Sequence, residues 1–382
     1  MDIIHFNWLH PKDFVHQEWN KTKRNNNDGF ESYAEWLLEN GYGMADVFAS
    51  YLQEQGFSVA NFYWSDSIFV EKFNTTIRIK YSDAWLIVKY LTHLGPKKIY
   101  SFFSLRSVKL LHLSRMKLIK HIVSQNAKVI FIREPAGLDH MLLQMIKKAT
   151  SLKVIGLIGC EFKYIPNFNP HLYDSILVLT KENKLYFSSL QIKVRPFKYG
   201  WFYNKAKRVY KYDIIFIGDL YHQVQKKKAE LMNDVANYYQ FKWWGPCNVS
   251  SEIYPALHSA YEGVVAGNTM LDNYAASKIV LNDYPANAGG DAVNMRIWDV
   301  ISAGSFLLTR NADNLSDLIN NGGLAVFTTN DECIGLIKKY LDNDDEREQQ
   351  AKKLSAYCEQ NYSINHGLDL LKKEIKTMSH KN

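Results

Sequence analysis

Along the first two hundred positions, short apolar runs alternate with longer stretches of helical period. The runs Ile3–Phe6, Val59–Tyr63, Lys98–Phe103, Lys128–Ile132, Lys153–Leu157, Ser175–Leu179 and Gln191–Val194 have the length of strands and lack the polar alternation of a half-exposed sheet. Continuous apolar strands separated by amphipathic helices predict a parallel sheet covered on both faces. Between the first two strands, the polar segment Lys21–Asp28 reads as a surface loop. A helical pattern follows to Gln55, where Gly56 supplies the stop.

The stretch Leu105–Ser124 predicts a longer helix. At about 100° per residue, Val108, Leu111, Leu118, Ile119 and Ile122 share one face, while Arg106, Lys109, Lys117 and Lys120 share the opposite one. Leu110 and Leu113 lie within the basic face. Either this is a crossover helix with a solvated face, or it is a surface that docks on anionic lipid.

Pro196–Lys211 has no clear period and mixes Pro, Gly, aromatic and basic residues, as a linker would. The expected division is an N-terminal domain over residues 1–205, a second α/β domain over 206–365 and a terminal helix over 366–382. The second run holds strands at Tyr212–Gly218, Phe241–Trp244, Lys278–Asn282, Ser305–Thr309 and Gly323–Thr328. Helices are expected at Asp331–Leu341, Asp345–Asn361 and Gly367–Met378.

Composition narrows the reading. A chain of 382 residues with 47% hydrophobic content can bury two cores of ordinary size. Aromatic residues make up 14%, which suits either ordinary cores or carbohydrate and base sites. The net charge of +7 favours anionic ligands: nucleotides, phospholipid-linked acceptors or a membrane surface. Cys160, Cys247, Cys333 and Cys358 lack metal-site spacing and read as reduced thiols of a cytoplasmic protein, with no signal peptide and no membrane span expected. There is no Walker loop, no G-x-G-x-x-G, no G-x-S-x-G and no recognisable nucleic-acid module, so neither a metal site nor a nucleic-acid partner is expected.

Candidate chemistry sits where strands end, because ligands of parallel α/β sheets bind beyond the carboxyl ends of strands. After Lys128–Ile132 come Arg133, Glu134, Asp139 and His140: an anion holder and three possible general bases, or equally surface ion pairs and helix caps. Beyond Tyr212–Ile217, Gly218 lets a nucleotide approach the backbone, and Lys226 or Lys227 on the next helix can reach a diphosphate. Trp244 stands where a base could stack. Between Asn282 and Ser305 lies a glycine loop, Gly289-Gly290-Asp291, that opens a helix capped by Asn294 and ended by Gly304. Such a loop brings backbone N–H groups and the helix dipole to an anion, with Arg296 in the first turn and Asp299 one turn later. An ordinary αβ turn with a surface ion pair would use the same residues.

From Asp213 onward the chain resembles the C-terminal, group-1-like domain of GT-B glycosyltransferases, especially the spore-maturation-protein-like branch. The resemblance rests on Asp213–Gly218, Tyr274–Asn282, Asn294–Thr309 and the helical end Tyr340–Ile375. It implies an α/β protein of two Rossmann-like domains facing across a cleft, the C-terminal one holding a nucleotide-activated sugar and the N-terminal one the acceptor. Retaining members of the fold carry two glutamates separated by seven residues, and Asp291 and Asp299 stand at that spacing here. Asp299 would then bind the ribose, Asp291 or the adjacent backbone the donor sugar, and Gly218 with Lys226 or Lys227 would flank the diphosphate. The implied reaction is metal-independent glycosyl transfer to a surface-glycan or lipid-linked acceptor, with no cofactor beyond the nucleotide-sugar substrate. Arg296 would stabilise the leaving phosphate. A sugar-nucleotide epimerase or hydrolase, and a catalytically weak binding module, are the alternatives.

Overall fold

The computed structural model describes residues 1–7, 12–22, 29–42, 45–64, 66–79, 106–134, 138, 140–159, 168–202, 209–283 and 293–379. They form two compact units, Met1–Phe197 with Leu368–Asn382, and Lys198–Gly367.

The first unit is built on a six-stranded parallel sheet in the order β2-β1-β3-β4-β5-β6. Its strands are β1 (Ile3–Phe6), β2 (Val59–Phe62), β3 (Val129–Arg133), β4 (Lys153–Ile158), β5 (Ser175–Val178) and β6 (Val194–Pro196). Helices α1 (Lys12–Lys21), α2 (Phe30–Glu39), α3 (Ala45–Glu54), α4 (Ser67–Thr76), α5 (Arg106–Ser124), α6 (His140–Ala149) and α7 (Lys181–Ser189) complete it. One face of the sheet near β1 and β2 is lined by aromatic rings. There Phe6 and Phe62 pack with Phe30 of α2, Phe69 and Phe73 of α4 and the ring of His121 on α5. The other face meets α3, whose Phe48 reaches His5 and Phe131.

Two expectations change here. The last strand starts at Val194, paired with Ile176, not at Gln191. Gln191 and Ile192 instead donate to Ser188 and Phe187 carbonyls and finish α7, with Gln191 at φ +59°. Pro196 is tolerated because β6 is the sheet edge. The basic face of α5 is partly committed to packing, since Lys117 and Lys120 donate to the carbonyls of Asn74 and Arg78. Leu118, Ile119 and Ile122 are buried as expected, whereas Lys98–Phe103 and the Leu110 side chain lie outside the described residues.

The second unit holds a five-stranded parallel sheet, β13-β12-β11-β7-β9. Here β7 is Tyr212–Ile217, β9 Phe241–Trp244, β11 Ser277–Asn282, β12 Phe306–Arg310 and β13 Ala325–Phe327, with a short parallel pair of β8 (Leu220–Tyr221) and β10 (Cys247–Asn248) beside it. Helices α8 (His222–Tyr238), α9 (Pro255–Ser259), α10 (Gly267–Ala275), α11 (Met295–Ser302), α12 (Ser316–Asn320), α13 (Asn330–Asp342) and α14 (Asp344–Asn361) surround it. Ile214, Phe216, Trp243, Ile279, Leu281 and Leu308 form a core with α8 and α13. The described cysteines, Cys247, Cys333 and Cys358, are free thiols. Among the described residues no helix is long and apolar enough to cross a membrane.

The final helix, α15 (Asn365–Ser379), leaves the second unit and from Leu368 belongs to the first. Glu374, 3% exposed, anchors it there through Lys193 at 2.5 Å and Arg195 at 3.4 Å. Tyr51 on α3 donates to Asp369, and Lys372 donates to Gln55 at 3.1 Å. Burial alone would raise the Glu374 carboxyl, but Lys193, Ser175 and Arg195 together outweigh it and hold it below the usual range. A depressed carboxyl stabilises the fold above its unfolded pKa and loses that contribution as pH falls through the folded value. Glu374→Ala should therefore cost about 1.5–3 kcal/mol at neutral pH, since both cations can turn to water. In urea titrations the gap from the parent protein should narrow on acidification below the ordinary glutamate range.

Candidate functional site

The most strongly charged strand ends of the second unit converge on Gly218, which directly follows β7. Its Cα is overlaid by the guanidinium of Arg296: an added Cβ would collide with the Arg296 Nη2 and stand 2.8 Å from the guanidinium carbon. A side chain here would displace the guanidinium. Gly245, after β9, is more tightly constrained, because a Cβ there would lie 2.7 Å from the carbonyl carbon of Gly218, a backbone atom. Two backbones thus meet side by side, joined by Gly218 N–H donating to the Trp244 carbonyl at 2.8 Å.

Arg296 reaches this point from the first turn of α11. The helix starts as its sequence dictates: the Asn294 side chain accepts from the Arg296 backbone N–H at 3.0 Å, and Gly304 beyond the last turn takes φ +70°. The guanidinium lies over the Phe216 ring at 4.8 Å and donates through Nη1 to Asn282 Oδ1 at 2.8 Å. Asn282, the last residue of β11, in turn donates to Thr309 Oγ1 at 2.9 Å. Next to it, Asp283 holds Arg310 in a two-pronged pair of 2.7 and 3.0 Å, and Arg310 also donates to the Thr328 carbonyl at 2.9 Å. The carboxyl ends of β11, β12 and β13 are laced together in this way.

Lys228 is the second cation. It is 5% exposed, its ammonium sits over Phe216 at 5.2 Å, and it donates to the Asp219 carbonyl at 3.2 Å. Burial first, then the positive charge of Arg296, push its pKa down to about 7, against the opposing pull of Asp283 and Asp219. Lys226 and Lys227 are exposed, and Lys226 stands 3.7 Å from Glu230 one turn on. The signal for Lys228 was present in the chain: Lys228, Leu231, Met232 and Val235 follow i, i+3, i+4, i+7, so this lysine shares the buried face of α8.

The other expected residues fall as follows. Asp299 is 9% exposed on α11; burial first raises the Tyr274 phenol, and the nearby Asp299 charge adds to that against Arg296. Trp244 is 7% exposed, with its ring edge-on to Tyr212, so it is part of the core. Gly289, Gly290 and Asp291 lie outside the described residues, as does Asp139. In the first unit, Glu134 follows β3 at φ +59°, and burial raises its carboxyl despite Arg133 and the Gly159 backbone N–H. Its oxygen would meet a Cβ on Gly159 at 2.5 Å, which explains a glycine after β4. His140, at the start of α6, accepts the Asn169 backbone N–H at 3.1 Å, with its ring beside Phe168. Among the described residues no group of three or more His, Cys, Asp or Glu could hold a metal ion.

A buried lysine, an arginine on an aromatic face and two apposed glycines at strand carboxyl ends make a place for a polyanion. Comparison with known proteins agrees in class. Residues 223–373 match the family model described as glycosyl transferase-like. A comparison with curated protein sequences finds no match. Among solved structures, a UDP-forming α,α-trehalose-phosphate synthase from Burkholderia vietnamiensis superposes with TM-score 0.52 at 10% identity, covering 98% of this chain and 99% of that one. HepE from Anabaena, solved with UDP and glucose, gives 0.51 at 10% identity over 99% and 100%. TarM from S. aureus gives 0.48 at 11% identity over 69% of this chain, which spans 59% of that one. The chain therefore has the two-sheet GT-B fold, and its residues 223–373 are similar to the glycosyl transferase-like family.

Because Lys228 titrates near neutrality, an anion beside it should draw a proton onto it. At pH 8, calorimetric titration with inorganic diphosphate should show proton uptake, seen as heats that vary with the ionisation enthalpy of the buffer. Lys228→Met should abolish that dependence. With the folded pKa below the unfolded one, the unfolded chain holds the extra proton, so this group makes stability rise with pH from about 7 toward the ordinary lysine range.

Proposed function

We propose that this protein transfers a sugar from a nucleoside diphosphate donor to a glycan or lipid-linked hydroxyl acceptor. The observation that carries the reading is the Arg296–Phe216–Lys228 stack against Gly218. It supplies two positive charges where the departing diphosphate of a donor would lie. As the bond from the anomeric carbon to the diphosphate oxygen breaks, those charges offset the negative charge that accumulates on the leaving group. That supports a transfer in which side chains perform the electrostatic work often given to a metal ion. Asp299 is assigned to the ribose hydroxyls, and the segment from Gly289 to Asp291 to the donor sugar. UDP is the first nucleotide to test, since it is bound in HepE. The Asn294–Thr309 pattern supports placing the C-terminal domain in the spore-maturation-protein-like branch.

The first unit is assigned the acceptor. With retention of configuration, the leaving phosphate oxygen takes the proton of the attacking hydroxyl and no protein base is needed. Glu134 favours a second reading, transfer with inversion. Its carboxyl is raised by burial and held at a left-handed backbone position, as a general base at a strand end would be.

Thermal-shift titration with UDP, GDP, ADP and their glucose conjugates should show stabilisation by one nucleotide series. For that nucleotide, Arg296→Ala should weaken binding by about 1.5–3 kcal/mol, the scale of a charge-assisted hydrogen bond. Unchanged affinity by calorimetry would remove Arg296 from the site. Asp299→Ala should weaken nucleoside diphosphate binding more than inorganic diphosphate binding, and equal losses would contradict a ribose role.

A further inference from the structure

Three buried polar side chains of the first unit, His5, Asn7 and Tyr63, lie on or just beyond the adjacent strands β1 and β2. On β1, His5 is fully buried and level with Asn61 of β2 and Phe131 of β3. Its ring stacks on Phe131 at 4.8 Å, beneath Phe48 of α3. Asn61 Oδ1 is a carbonyl oxygen that can only accept, and it lies 3.0 Å from His5 Nδ1 and 3.3 Å from the Asn7 amide nitrogen. The His5 proton is therefore on Nδ1. Burial, and secondarily the charge of Arg133, lowers the His5 pKa to about 3 against the Asn61 hydrogen bond, so the ring is neutral and Nε2 is a bare acceptor.

That acceptor is unused. Among the described residues, His5 Nε2, Asn7 Oδ1 and Tyr63 Oη are buried with no hydrogen-bond partner. Tyr63 directly follows β2, near the charges of Asp46 and Arg133. Leaving such atoms unmatched costs about 1–3 kcal/mol each, and the opposite sheet face shows that this fold can fill the same layer with phenylalanines. Their position is also particular. The chain adds β2 on one side of β1 and β3 on the other, so the carboxyl ends of β1 and β3 flank the topological switch point, where parallel α/β sheets bind ligands.

We propose that His5, Asn7 and Tyr63 form a subsite for the hydroxyl groups of a neutral sugar, the sugar donating to His5 Nε2 and to Asn7 Oδ1 and exchanging a hydrogen bond with Tyr63. This rests on the acceptor role assigned above to the first unit and specifies its ligand as uncharged and polyhydroxylated. The three groups offer two acceptors and one hydroxyl, and the neighbouring Arg133 and Asp46 carry opposite charges, a pattern that suits sugar hydroxyls better than phosphate.

Two measurements on the full chain test it. In urea unfolding, Tyr63→Phe should leave the midpoint unchanged or raise it, because it deletes an unmatched hydroxyl without changing shape. A lowered midpoint means that the fold itself satisfies the hydroxyl and overturns the proposal. In NMR of histidine-labelled protein, at least one of the methyl glycosides of glucose, galactose, mannose and N-acetylglucosamine should shift the His5 ring saturably. Tyr63→Phe should weaken that response about tenfold, within the range for a lost buried hydrogen bond. No response to any of the four overturns the subsite. Nucleotide titration reads the other unit, so nucleotide binding without a His5 response sinks only this inference. A His5 response without nucleotide binding sinks the transferase reading and leaves a sugar site.

Discussion

The guanidinium of Arg296 lies directly on the Cα of Gly218, and much of the second unit is arranged so that it can. The approach uses the space left by a glycine after β7, a flat aromatic surface in Phe216, and a helix start placed by the Asn294 cap. It also needs Asn282 at the end of β11 to fix the arginine's orientation. A lysine brought within the same aromatic ring's reach feels the arginine's charge, and that repulsion adds to burial in lowering its pKa to about 7. An anion would relieve both strains together. Folding has therefore built an unfavourable concentration of positive charge, which a polyanion would offset.

The two sheets solve the same packing problem with different residues at their active edges. In the second unit the strand ends are tied by charged and amide side chains, with Asp283 and Arg310 satisfying each other almost completely. In the first unit several polar atoms at the carboxyl ends of β1 and β2 lack partners among the described residues, with Arg133 and Asp46 nearby.

Helix α15 shows how the chain order and the unit boundaries part company. It begins in the second unit and ends as an element of the first, held by a buried carboxylate facing two half-exposed cations. Those cations, Lys193 and Arg195, sit on or beside the edge strand β6, while Tyr51 and Gln55 hold the same helix to α3.

Strand-length apolar runs and glycine stops were enough to place most strands of the two large sheets and several of the helices, because period and punctuation are local properties; short helices such as Ser67–Thr76 and Lys181–Ser189 were not placed. The helix that starts after Asn294 and stops before Gly304 is an example, since cap and stop act within one turn. Three adjacent lysines on α8 show the limit. They point about 100° apart, and which one turns inward depends on how the helix seats against β7, although the apolar spacing around Lys228 carried the clue. Trp244 likewise looked available for stacking until Tyr212 closed over its edge. His5 and Asn61 were invisible as a pair, being 56 positions apart in the chain and neighbours only through strand register. The amino-acid sequence by itself determined the alternation of strands and helices and the residues that begin and end them. Only the tertiary structure decided which polar side chains face one another, because that follows from sheet order and helix rotation, which no local stretch encodes.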